Sequence, residues 1–111
     1  MFKTKQANPN FTGVFDVEPS ELNQLRSTQK IKIVDVRQPE EYIGELGHIE
    51  NSELIVLDSL PEKLSSLSKE DTLVMVCRSG ARSAKASAIL LDQNFKKVFN
   101  LRGGMLLWNN L

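Results

Sequence analysis

Two hydrophobic periods alternate along this chain, and they predict different elements. Ile31-Lys32-Ile33-Val34-Asp35-Val36 is rich in β-branched residues and stops before Gln38-Pro39, which predicts a strand followed by a turn. Glu53-Leu54-Ile55-Val56-Leu57 and Thr72-Leu73-Val74-Met75-Val76 are two further strand candidates. The second of these is apolar throughout, as expected of a strand covered on both faces. Lys97-Val98-Phe99-Asn100-Leu101 is the last. Between the strands lie helical patterns. Pro19 to Leu25 opens with a first-turn proline and spaces its leucines by three, and Pro61 to Leu67 reads the same way. Arg82 to Asn94 carries Ala84, Ala88 and Leu91 on one stripe with Ile89 beside them, a helix of about three and a half turns. After a turn at Arg102-Gly103-Gly104, a short helix is expected to end the chain.

Strand–helix–strand alternation implies an α/β fold with a mainly parallel sheet and helices on both faces. Residues 1–14 show no period and read as a loosely held lead-in, leaving residues 15–111 as the domain. At 111 residues there is room for one core of ordinary size. The 41% hydrophobic content argues against disorder. Basic and acidic residues balance at 14 each, so a nucleic-acid or polybasic membrane partner has no bulk electrostatic support. No run approaches the ~20 apolar residues of a membrane span, and the first residues lack the apolar stretch of a secretory signal. These features predict a soluble, cytoplasmic protein. Cys77 is the one cysteine, which rules out an internal disulfide, and with a single histidine, His48, it falls short of a zinc site. His48 reads as a structural loop residue.

In open α/β sheets, sites lie beyond the carboxyl ends of strands. Three segments fall there: Asp35-Val36-Arg37, the loop from Cys77 to Ser83, and Arg102-Gly103-Gly104. The second concentrates chemistry. Position alone would suit Cys77 to a small buried hydrophobe. Two arginines bracketing a glycine turn beside a core thiol, however, have little packing rationale. The thiolate is the reactive form of cysteine, and a helix N-terminus with neighbouring cations, here Arg78 and Arg82, favours it. Gly80 permits torsions that turn successive N–H groups inward as an anion nest, and Ser79 and Ser83 can add donors.

The loop Cys77-Arg78-Ser79-Gly80-Ala81-Arg82-Ser83 resembles the active-site loop of rhodanese-like sulfurtransferases. Asp35-Val36-Arg37 with Glu40-Glu41-Tyr42, and Gly47-His48-Ile49, resemble the family's upstream signatures. Leu101-Arg102-Gly103-Gly104, with Trp108 beyond, resembles its closing motif. The resemblance runs from about Phe15 to Leu111. One departure is Glu50-Asn51-Ser52 where the family usually has Pro-Gly-Ala; asparagine tolerates a left-handed backbone best among non-glycine residues, so the turn is expected to survive.

The resemblance implies a three-layer fold with a five-stranded, mostly parallel sheet between helices. It also implies sulfur transfer from a small anionic donor such as thiosulfate, through a Cys77 persulfide, to a nucleophilic acceptor: cyanide in vitro, a thiol or a partner protein in the cell. Neither metal nor organic cofactor is implied. Asp35 and Arg37 are expected to fix the loops beside the site by hydrogen bonding and ion pairing. Two rival functions use the same residues. A phosphatase or arsenate reductase would also use a thiolate in an anion cradle, but those loops place five residues between cysteine and arginine, whereas Cys77 and Arg82 have four between them. A non-enzymatic sulfur carrier or docking module would need the same cysteine without turnover.

Overall fold

The computed structural model describes residues 1–111. Its centre is β5 (Thr72–Val76), five consecutive buried residues whose side chains alternate between two cores. Leu73 and Met75 face one core with Val34, Val36, Leu60, Leu90 and Phe95; Val74 and Val76 face the other with Leu22, Ile33, Leu101 and Met105. A strand with no polar face therefore sits in the middle of three layers.

The sheet order is β1-β2-β6-β5-β3-β4. β3 (Ile31–Asp35), β6 (Lys97–Leu101), β2 (Phe15–Val17) and β4 (Glu53–Leu54) all pair in parallel. β1 (Gln6–Ala7) adds an antiparallel edge on β2. The sheet thus has six strands, where the family resemblance led to an expectation of five, and the sixth comes from the segment read as a loose lead-in. That segment is tied down. Phe2 is buried against Phe99 with ring centroids 4.9 Å apart, and the Lys3 and Thr4 amides donate to the Glu21 carboxylate at 3.0 Å.

The helices are α1 (Pro19–Leu25), α2 (Pro39–Tyr42), α3 (Leu60–Lys63), α4 (Ala81–Asp92) and α5 (Gly104–Trp108), with 3₁₀ turns at Leu57–Ser59 and Leu64–Ser66. Three local expectations shift. The strand expected over residues 53–57 ends at Leu54: the Ile55 and Leu57 amides still donate to the Asp35 and Val36 carbonyls at 2.9 and 3.1 Å, but the chain bends there into the 3₁₀ turn that begins at Leu57. The turn at Gln38–Pro39 continues into one helical turn, closed when Glu41 accepts the Gln38 amide proton at 3.0 Å. On α4 the buried stripe is Ser83, Ala84, Ala86, Ser87 and Leu90, not one centred on Ala88 and Leu91. Ser87 is accommodated there by donating its hydroxyl proton to the Ser83 carbonyl at 2.8 Å, a bond that periodicity of apolar residues does not reveal. Asn51 adopts φ 68°, so the turn at the departure from the family pattern keeps its left-handed residue. No helix is long and apolar enough to cross a membrane.

Candidate functional site

The chain leaves β5 at Val76 and the next side chain, Cys77, stays in phase with Leu73 and Met75, pointing under the N-terminus of α4. The backbone around it is polarised in two directions. The carbonyls of Cys77 and Arg78 accept the amide protons of Met105 (2.9 Å) and Leu106 (3.1 Å) in the first turn of α5. Gly80, at φ 106°, swings its own N–H the other way, onto the Cys77 sulfur at 3.1 Å. Ser83, one turn into α4, brings its hydroxyl to 3.3 Å from the same sulfur. Two donors therefore converge on a thiol that is 1% exposed. An anionic sulfur gains most from such donors, because charge-assisted bonds are about twice as strong as neutral ones.

The other loop residues are distributed differently from the sequence expectation. Arg78 and Ser79 are exposed, and Ala81 opens α4. Arg82 is not a free cation: it donates to both oxygens of Glu41, at 2.7 and 2.8 Å. That bidentate bond holds the Glu41 carboxyl far below its ordinary value near 4.5, at about 2, against the opposing pull of desolvation. The sign follows from linkage. A carboxyl depressed by folding contributes stability that is fully present above about pH 4.5 and lost as pH falls toward about 2. Glu41→Gln is accordingly expected to flatten the pH dependence of urea stability across that window; a variant slope equal to that of the wild type would refute the assignment. Both side chains are partly exposed, so solvent screening keeps the effect modest.

Asp35 and Arg37 lie at the end of β3, each 1% exposed. The guanidinium donates from Nε and Nη2 to both Asp35 oxygens, from Nη2 to the Gly47 carbonyl at 2.7 Å, and from Nη1 to the Glu41 carbonyl at 3.2 Å. One fork therefore ties the end of β3 to α2 itself and to the loop after it, and so sets where Glu41 meets Arg82. Lysine keeps the charge but not the fork. Arg37→Lys is expected to cost about 1–3 kcal/mol in unfolding free energy, since a carbonyl or carboxylate oxygen loses its donor in a buried site. A change below a few tenths of a kcal/mol would be inconsistent with that role.

His48 is exposed, stacked on Tyr42 with centroids 3.7 Å apart, and its Nδ1 lies 2.8 Å from the Tyr42 carbonyl. It shapes the loop before Ile49, which enters the core. No group of three histidine, cysteine or acidic side chains is arranged to hold a metal. Two cavities flank the cysteine loop. One, of about 210 Å³, is lined by Arg37, Glu40, Glu41, Glu45 and Arg78. The other, of about 240 Å³, reaches Asp16, Ser79, Gly80, Asn100 and Arg102.

The pattern that defines the rhodanese-like domain matches residues 18–111. The chain belongs to the rhodanese-like domain family. A curated relative named as a sulfurtransferase, from Allochromatium vinosum, is 35% identical over 96 residues, covering 86% of this chain and 88% of the relative. The thiosulfate sulfurtransferase GlpE of Pseudomonas paraeruginosa is 34% identical over 95 residues, covering 86% and 84%. Among solved structures, a rhodanese-like domain protein from Staphylococcus aureus superposes with a TM-score of 0.77 at 35% identity, covering 84% of this chain and 89% of that one.

Around the cysteine of this rhodanese-like protein, three residues are not legible as site residues in the sequence. Glu41 stands within the upstream signature with nothing local to mark its role, yet it takes the loop's second arginine. Asn100 and Asp16 lie under the cysteine and were not singled out at all. Asn100 had a visible signal, a lone amide in an otherwise apolar strand end. Asp16 had none, because β2 is three residues long and gives no period to interrupt.

Proposed function

We propose that this chain is a sulfurtransferase that carries sulfane sulfur as a persulfide on Cys77. The observation that carries the reading is the convergence of the Gly80 N–H and the Ser83 hydroxyl on a thiol at the carboxyl end of the central strand. Relatives named as sulfurtransferases support it. The Cys77 thiolate attacks the outer sulfur of a donor such as thiosulfate; the donor's S–S bond breaks, and sulfite leaves with the bonding pair. The product is an enzyme persulfide. A nucleophilic acceptor, cyanide in vitro or a thiol or partner protein in the cell, then attacks that outer sulfur and returns Cys77 as thiolate. The thiolate carries its charge on Sγ, where the two donors point, so they stabilise the attacking nucleophile and the same thiolate when it departs from the persulfide. No general base is needed at the moment of attack.

Incubation with thiosulfate tests this directly. The intact protein is expected to gain the mass of one sulfur atom and lose it on treatment with a reducing thiol. A protein whose mass stays unchanged is not a sulfurtransferase of this kind.

Phosphoryl chemistry is disfavoured by two features. Four residues separate Cys77 from Arg82, and Arg82 spends its fork on Glu41. Hydrolysis of aryl phosphates is expected to be negligible. A kcat/KM at or above roughly 10⁴ M⁻¹s⁻¹, the low end for working enzymes, would reverse that assignment.

A further inference from the structure

A polar cluster lies beneath the cysteine on the sheet face that packs against α4. Asp16, Ser83, Ser87 and Asn100 are all more than nine-tenths buried there, and none has a buried side-chain polar atom left without a partner. Burying that much polarity costs free energy that an apolar set would avoid. Its hydrogen bonds run toward the sulfur.

Asp16 and Asn100 are direct register partners across β2 and β6. Asn8 Nδ2 donates to Asp16 Oδ1 at 2.9 Å, and Asn100 Nδ2 donates to that same oxygen at 2.9 Å. The second Asn100 amide proton goes to the Gly80 carbonyl at 3.1 Å. Both protons are thereby used, and a flipped amide would face two acceptors with its oxygen. The orientation is locked. Asn100 Oδ1 consequently faces Ser83, whose hydroxyl donates to it at 2.5 Å.

Ser83 has one hydroxyl proton and two acceptors in reach, Asn100 Oδ1 at 2.5 Å and Cys77 Sγ at 3.3 Å. With a neutral thiol, the Cys77 S–H can donate to the Ser83 oxygen while the Ser83 proton stays on Asn100. With a thiolate, Sγ is an acceptor only, and the charged bond is the stronger claim on that proton. We propose that Asn100, locked by Asp16, is a positioning residue for sulfur transfer: it holds Gly80 and Ser83 at the sulfur and parks the Ser83 proton until the sulfur becomes anionic. This role rests on the sulfur chemistry proposed above, and neither Asn100 nor Asp16 touches the reacting atom.

The direct test follows the side-chain amide of Asn100 by NMR in asparagine-labelled full-length protein while pH is raised. Its resonance is expected to move with the same midpoint as the pH profile of Cys77 alkylation, and that movement is expected to vanish in Ser83→Ala. A resonance that stays put across the alkylation midpoint, or one that moves equally in Ser83→Ala, overturns the proposal. Neither readout uses a sulfur donor, so a protein that fails to accept sulfur from thiosulfate would overturn the proposed function and leave this result standing. In turnover, Asn100→Leu is expected to lower kcat by about tenfold or more with KM for thiosulfate within about twofold, matching the loss of an aligned buried bond. Asp16→Asn, whose side-chain carbonyl can still accept the Asn100 proton, is expected to keep most of the activity, and Asp16→Leu to lose it like Asn100→Leu. An Asn100→Leu protein with kcat near wild type also overturns the assignment. If that variant does not fold, the wild-type and Ser83→Ala titrations still decide.

Discussion

Replacing Cys77 with serine is expected to abolish both the sulfur adduct and thiosulfate:cyanide transfer while leaving the fold intact. The substitution changes one atom at a 1% exposed position between two donors, so the Gly80 N–H and the Ser83 hydroxyl keep an acceptor in front of them. What disappears is the nucleophile. A thiol reaches its anion near neutral pH and a serine hydroxyl does not unless a base is placed beside it. No base is available. The lone histidine is stacked on Tyr42 in the loop before Ile49, and Glu41 is committed to Arg82. A sulfur adduct in Cys77→Ser would mean that some other nucleophile receives the sulfur, and full transfer activity in that variant would falsify the persulfide route. The experiment also separates two functions that share the cysteine. A carrier would take up one sulfur and discharge it once to its partner, whereas an enzyme turns over repeatedly with small donors. Wild-type steady-state turnover, set beside the null variant, distinguishes them.

How far the sequence carries depends on whether each element owes its form to its own residues or to a partner. β5 is legible because four apolar residues in a row, Leu73 to Val76, have one stable placement, between two layers. The cysteine loop is legible for a similar reason: the glycine, the serine and the helix start lie within seven residues, and Gly80 and Ser83 do meet the sulfur. β1 and β2 are not legible, since two and three residues carry no period, and their strand character comes from the Gln6↔Asp16 and Asp16↔Asn100 pairings. Phe2 enters the core for the same kind of reason, through Phe99, nearly a hundred positions away in the chain. The Arg82–Glu41 pair is not legible, because the local context of Arg82 is cationic and helical while its partner lies 41 positions upstream. Arg82, beside the cysteine in sequence, is also the clasp that joins α4 to α2. Short-range chemistry was visible, and long-range pairing was not.

Gly104 is the long-range pairing with the largest structural consequence. It opens α5 at φ 56°, and a Cβ built there would lie 2.4 Å from the Cys77 carbonyl oxygen and 2.5 Å from that of Arg78. Both obstacles are backbone, so no rotamer change relieves them. The loop passes this close because those carbonyls receive the Met105 and Leu106 amide protons, bonds of 2.9 and 3.1 Å that satisfy the start of α5 and fix the direction of the loop peptides. Gly104→Ala must therefore push the cysteine loop away from α5, stretching the bonds that leave the Gly80 N–H aimed at the sulfur. Overpacking costs about 1–3 kcal/mol and a left-handed non-glycine residue about 1–2 kcal/mol more. A loss of about 2–5 kcal/mol is a large part of the 5–15 kcal/mol that holds a domain together. The expected outcome is a marked fall in thermal midpoint together with sulfur transfer reduced far more than the folded fraction accounts for. Gly103→Ala makes the informative contrast. Its added Cβ meets Leu107 Cβ at 2.6 Å, an atom fixed to the α5 backbone, so that variant strains its φ of 74° and shifts α5 at Leu107 without a direct clash against the cysteine-loop carbonyls. If Gly104→Ala retains wild-type transfer per folded molecule, the α5 contacts do not set the geometry at Cys77.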